Sequence, residues 1–166
     1  LLGIYIEKKM AEKGLRLIGE IVKMDYHAIQ DIYKPIISLA ENIEGAAPKL
    51  AKLVAIILSK DPANLYAIFT SAHLHALMND TAKTTEAIKK IMISGNQMLI
   101  DGVSGICDAL LEKNPHDRQL QWSIVNILFE AKRYDQITEQ LYTLYLNNPG
   151  EGGNILNLLG EIVRRG

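Results

Sequence analysis

Cysteine occurs once in these 166 residues, at Cys107, which excludes an internal disulfide and any cysteine-rich zinc site. Long apolar runs are missing too. The longest, Leu53 to Leu58, falls far short of the ~20 residues that span a bilayer, and no charged-then-apolar leader opens the chain. A cytoplasmic setting is the default expectation. Excess charge of one sign is also absent: 18 basic residues stand against 19 acidic ones, a net charge of −1. With no overall field to gather polyanions, neither nucleic acid nor an anionic membrane is expected as a partner. Alternating, β-branched stretches are nearly lacking, so there is no strand for a Gly-rich phosphate loop to follow.

Catalytic and metal-binding patterns are scarce for similar reasons. His73 and His75 are the only close histidine pair. Two residues apart on a helix, they point about 200° from each other and cannot share a metal. His27 and His116 are isolated. Paired carboxylates such as Glu41 with Glu44, and Asp135 with Glu139, have the spacing of a solvated helix face. Neither a nucleophile-elbow nor a zinc-protease motif occurs. No catalytic residue, cofactor or metal is therefore expected, and the chain is read as not being an enzyme. Asn79-Asp80-Thr81 has glycosylation-acceptor spacing, a match too short to carry weight without a sign of secretion.

What the chain does have is apolar residues at three- and four-residue spacing almost throughout. With 48% apolar and 22% charged residues it can bury a sizeable core, and the fold class is all-α. A first helix is expected over Ile4 to Lys23, with Ile6, Met10, Leu17, Ile21 and Ile18 inward. A second starts near Tyr26 and kinks or restarts at Pro35 before ending at Gly45. Pro48 suits the first turn of a helix through Leu58, and Asp61-Pro62 reads as cap and first turn of the next, which reaches Met78. Lys83 to Glu112 holds either one long bent helix or two parted at Ser94-Gly95-Asn96, and two is preferred here. Gly102-x-x-Gly105 permits close helix approach, and Cys107 reads as a small core residue. Asp117 caps a helix to Ala131, Tyr134 to Asn147 is its partner, Gly150 to Gly153 is a loop, and Asn154 to Arg165 is helical again.

Three segments end alike: Ile57-Leu58 runs to Pro62, Leu110-Leu111 to Pro115 and Leu144-Tyr145 to Pro149. The last two prolines are 34 residues apart. Leu50 and Val54, Val103 and Cys107, Ile137 and Leu141 stand at matching places before the three prolines. A stacked helix pair needs this pattern, since the second helix packs its stripe on the first and the proline stops it where the chain turns.

On these residues the chain resembles the tetratricopeptide repeat family, whose pattern is W-x2-L-G-x2-Y, then A-x3-F, then P. Ile124, Val125 and Leu128, then Ile137, Leu141 and Pro149, fall at those places, with Gln121 departing at the Trp position. Leu159-Gly160 and Val163 begin the motif again after the Gly-rich loop. Pro62 and Pro115 are farther apart than one period, which an extra helix between Ile91 and Pro115 would explain. The resemblance covers Arg118 to Gly166 fairly well, Leu50 to Pro115 loosely and Leu1 to Gly45 hardly at all. It implies a right-handed solenoid of helical hairpins over residues 46–166 after an N-terminal helical segment, 1–45. An irregular all-α bundle is the alternative.

On the helix after Asp117, Leu120, Ile124, Ile127 and Ala131 form one stripe, and Trp122, Asn126 and Phe129 another nearly opposite, continued by Arg133. In the resembled family the first helices of each unit line a groove for peptides or partner helices. Gln119, Trp122, Asn126, Phe129 and Arg133 are therefore the candidate partner-binding residues, with packing on a neighbouring helix as the competing reading for Trp122 and Phe129. The family's carboxylate clamp of Lys, Arg and Asn is not reproduced. The expected function is a non-catalytic scaffold binding a protein or peptide, with an accessory or regulatory domain of a larger enzyme as the alternative. Leu156, Leu159 and Val163 on the last helix lack a cover, so self-association there, or cover by further residues, is expected. The chain opens Leu1-Leu2 without an initiating methionine, as a fragment or a processed product would.

Overall fold

The computed structural model describes residues 2–7 and 10–165, which form ten α-helices and no strand. They are α1 (Leu2–Glu7), α2 (Ala11–Met24), α3 (Ile29–Asn42), α4 (Ala46–Lys60), α5 (Leu65–Leu77), α6 (Thr81–Ile93), α7 (Gln97–Lys113), α8 (Arg118–Glu130), α9 (Tyr134–Asn147) and α10 (Gly152–Arg165). No helix among the described residues is long and apolar enough to cross a membrane.

Short polar side chains open the central helices. Asn64, Asp80, Asn96 and Asp117 each precede a helix, and each Oδ1 accepts the backbone N–H three residues on: Ala67 at 3.1 Å, Lys83 at 3.2 Å, Leu99 at 3.2 Å and Leu120 at 2.9 Å. Each cap of this kind contributes about 1 kcal/mol by satisfying a donor the helix leaves free. The break after α6 takes Gly95 to φ +72, so the stretch 83–112 is two helices, the reading preferred from sequence.

Four expectations need correction. The first helix is two, α1 and α2, with Met10 between them outside helical geometry. Ile18 and Val22 take the most buried places on α2, Leu17 and Ile21 are half-buried, and the Ile6 side chain lies outside the described residues. Asp61-Pro62 does not open α5. Asp61 closes α4, with its N–H bonded to Ile57 O and its Oδ1 accepting Ala63 N–H at 3.2 Å, so its carboxylate is spent on the turn and Asn64 does the capping. α3 does not restart at Pro35 but runs through it, and Gly152 and Gly153, expected in a loop, open α10.

The main packing joins helices one or two places apart in the chain. α3, α5 and α7 lie side by side, as do α6 and α8, and α8 packs along α9. α5 is central, touching α3, α4, α6 and α7, and is buried around its circumference, including Ala67, Phe69, Ala72 and Leu74. Its Thr70 is wholly buried and donates its hydroxyl to Tyr66 O at 2.7 Å. Leu50, Val54, Val103, Cys107, Ile137 and Leu141, the six places counted back from the prolines, are all buried. Helices on both sides of Gly45 contribute to one apolar core.

Hydrogen bonds tie the ends of α5, α7 and α9 into a row. Lys113 Nζ donates to Ala76 O at 3.1 Å, which also accepts the Asn79 N–H, and to Leu77 O at 2.7 Å in the last turn of α5. Asn79 and Asn114 pair through their carboxamides. One turn on, Pro115 O accepts from both Gln121 Nε2 and Asn147 Nδ2 at 3.0 Å, while Gln121 Oε1 accepts from Asn148 Nδ2 at 3.0 Å. Gln121 is therefore a buried polar tie and not an apolar plug.

Candidate functional site

α8 is fixed at its start by the Asp117 cap and at its end by Lys132, whose φ of +58 turns the chain into α9. Its inner stripe, Leu120, Ile124, Ile127 and Leu128, is buried. Gln119, Trp122 and Asn126 remain on the outer side. There three hollows follow one another. The first, of about 360 Å³, lies between α6 and α8, with Met92, Ile93, Ile127 and Ala131 as its apolar lining and Lys89 and Glu130 at its edges. The second is an open depression flanked by Arg118, Gln119, Trp122, Ser123 and Asn126. The third lies between Trp122 on α8 and Asn154, Asn157, Leu158 and Glu161 on α10. Ser123 and Asn126 border both the first and second, and Trp122 both the second and third, so the three form one track across α6, α8 and α10.

Trp122 is half-buried, its indole N–H donating to Glu151 Oε2 at 3.1 Å. Glu151, nearly buried in the turn before α10, also accepts from Asn154 Nδ2 at 2.8 Å and pairs with Arg118 Nε at 2.6 Å. The Asn154 hydrogen bond, followed by that of Trp122, holds the Glu151 carboxyl below the usual carboxylate range. This cluster fastens the start of α10 to the start of α8. Sequence reasoning missed Glu151, because a lone carboxylate in a Gly-rich loop reads as solvated.

The remaining candidates lie elsewhere. Phe129 is buried, 6.2 Å from the Tyr134 ring and capped by the Arg165 guanidinium at 4.6 Å, so it packs between α9 and the end of α10. Arg133 sits in the α8–α9 turn and pairs with Asp101 of α7 at 3.4 Å and Asp135 at 3.6 Å. Neither borders the track: one is covered, and the other is committed to carboxylates on a different helix. The structure thus gathers Gln119, Trp122 and Asn126 and separates Phe129 and Arg133 from them. Met92, Ile93 and Lys89 join from α6, a proximity that no sequence spacing reports.

Reactive groups elsewhere are muted. Burial pushes the Cys107 thiol up to about 12, far from a reactive thiolate. His73 and His75 serve different helix contacts, with Glu41 of α3 and with Asp80, and no cluster of metal-ligating side chains occurs among the described residues. On α10, Leu159 is half-buried, whereas Leu156 and Val163 are 69% and 82% exposed. No protein-family model, no curated protein and no solved structure matches the chain.

Proposed function

We propose that the chain is a non-catalytic helical-repeat module that binds an extended segment of a partner protein along α6, α8 and α10. The observation that carries this reading is the continuity of the three hollows, together with what borders them. Among the described residues the side chains of Gln119, Asn126 and Asn157 make no hydrogen bond within the chain. A carboxamide offers one acceptor and an N–H donor pair, the complement of a peptide unit's own N–H and C=O. Placed along a track, such groups hold an extended main chain, while the α6–α8 hollow receives an apolar side chain.

Ties between successive helix ends support the repeat half of the reading. Lys113 to Leu77, Asn114 to Asn79 and Asn147 to Pro115 join residues 36, 35 and 32 apart, close to the proline period, as equivalent turns of neighbouring units would. A cytoplasmic setting belongs to the same reading.

Selection from a displayed library of unstructured peptides tests it. The chain should enrich peptides that share an apolar residue. Gln119→Ala with Asn126→Ala should weaken them about tenfold, taking roughly 1 kcal/mol per lost hydrogen bond and allowing for partial replacement by water. Enriched peptides that bind the double variant as tightly as the parent would remove this surface from consideration.

A further inference from the structure

A separate hollow, of about 300 Å³, opens where α3, α5 and α7 meet, away from the track. Its floor is apolar and aromatic. Tyr33 and Phe69 meet edge to face with ring centroids 6.0 Å apart, and Leu99 and the half-exposed Met98 close the α7 side. α7 comes in at Gly102, where a Cβ would stand 2.7 Å from the Phe69 ring, so the floor exists only because that position has no side chain.

Three polar groups of α3 border the same space: Lys34, Ser38 and Glu41. The two charges among them are not equivalent. Glu41 is already engaged, its Oε1 bonded to His73 Nε2 at 2.8 Å. Lys34 enters no ion pair among the described residues, and its ammonium lies 5.9 Å from the Tyr33 ring centroid, over the hollow's own aromatic wall. Lys34 is thus the cation at the hollow that makes no ion pair among the described residues, one helical turn from the Ser38 hydroxyl, while the Glu41 carboxylate is held against the His73 ring. Glu41, about 10.5 Å further along the same helix at 1.5 Å per residue, disfavours a dianion but leaves a monoanion at Lys34 tolerable.

We propose that this hollow is a binding site for a small aromatic monocarboxylate. The ring lies on Tyr33, Phe69 and Met98, and the carboxylate is held by Lys34 with the Ser38 hydroxyl beside it. The volume is that of about ten water molecules at roughly 30 Å³ each, which suits a single substituted ring and its acid chain. Such pockets combine an apolar lining with a few convergent polar groups, the composition seen here.

Amide-resolved NMR titration of the full chain with 3-phenylpropionate tests the assignment, with 3-phenylpropanol and inorganic phosphate as parallel probes. The carboxylate should shift the amides of Gly102, Ser38 and Phe69 saturably, the alcohol should bind about tenfold more weakly, and phosphate should not shift them. Lys34→Gln, a substitution at an exposed position with the fold checked by circular dichroism, should also cost about tenfold, the loss expected for one charge-assisted contact. Gln119→Ala with Asn126→Ala should change nothing, which separates this site from the peptide track. Absence of saturable shifts, equal affinity for acid and alcohol, or an unaltered Lys34→Gln affinity overturns the proposal.

Discussion

Gly102 and Gly105 stand three residues apart on one helix and do opposite things. A Cβ at Gly102 meets the Phe69 ring at 2.7 Å, whereas one at Gly105 has nothing within 4 Å. Gly102→Ala should therefore destabilise by about 1–3 kcal/mol through overpacking, while Gly105→Ala should stabilise by up to about 1 kcal/mol through helix propensity alone. Urea unfolding of the two variants checks the pair, and equal shifts would show that α5 and α7 do not approach as described. At His75 the controlling factor is solvation. Burial lowers its pKa below 6.5 despite the Asp80 carboxylate 3.4 Å away, and Lys83 pushes the same way as burial. Nδ1 of this ring is buried without a hydrogen bond. Just below pH 6.5 the unfolded chain consequently binds more protons than the folded one. Stability from this group is level above that pH and declines as pH falls toward the folded pKa. His75→Gln lacks that slope, so the parent's advantage over the variant should shrink between pH 7.5 and about pH 5.5 in melting experiments. A constant difference would place the imidazole in water.

Between elements, the junction of α8 with α10 depends on one carboxylate. Glu151 gathers donors from Arg118, Trp122 and Asn154, and no other buried carboxylate occurs among the described residues. Removing it leaves the indole N–H without its partner and the two helix starts untied. Glu151→Ala should shift Trp122 emission to longer wavelength and speed amide exchange across α10, with α5 unchanged. Because the Glu151 pKa is depressed in the folded chain, the tie is complete at neutral pH and is lost as acid takes the pH below the ordinary glutamate value and through the folded one. Unaltered emission in the variant would mean that Trp122 is held by packing alone. α5 shows the contrary kind of element: buried on all sides, its apolar residues do not keep to a single stripe.

For the molecule as a whole, packing between near neighbours in the chain has a kinetic and a thermodynamic consequence. Local contacts lower the entropic cost of closing loops, so folding should be fast for this length. Stability should also be graded along the chain, since the main packing of α10 is against α9 and the preceding turn, away from α5. Native-state amide exchange should find the slowest amides on α5 and its neighbours α4 and α6 and the fastest helical amides on α10. Uniform protection from α2 to α10 would indicate a single cooperative unit instead.

Helix type, the Asp117 cap and the break at Ser94-Gly95-Asn96 were legible in the sequence, because caps and breakers act through backbone groups only a few residues away, whereas Asn64, Asp80 and Asn96 emerged as caps only in the structure. The buried places before each proline were legible too, since a stripe at helical period must face something. The role of Asp61 was misread because its carboxylate could serve either of two adjacent turns. Phe129 and Arg133 looked equivalent to Trp122 and Asn126 by angle around α8, but their partners Tyr134, Arg165 and Asp101 come from other helices. Joining Asn126 to Ile93, or Tyr33 to Gly102, likewise depends on which helices lie side by side. The amino-acid order alone thus determined a chain of short helical units, most of them amphipathic, and where most of them stop. Tertiary structure decided which outward residues share a hollow, because burial and pairing are set by side chains far away in the chain.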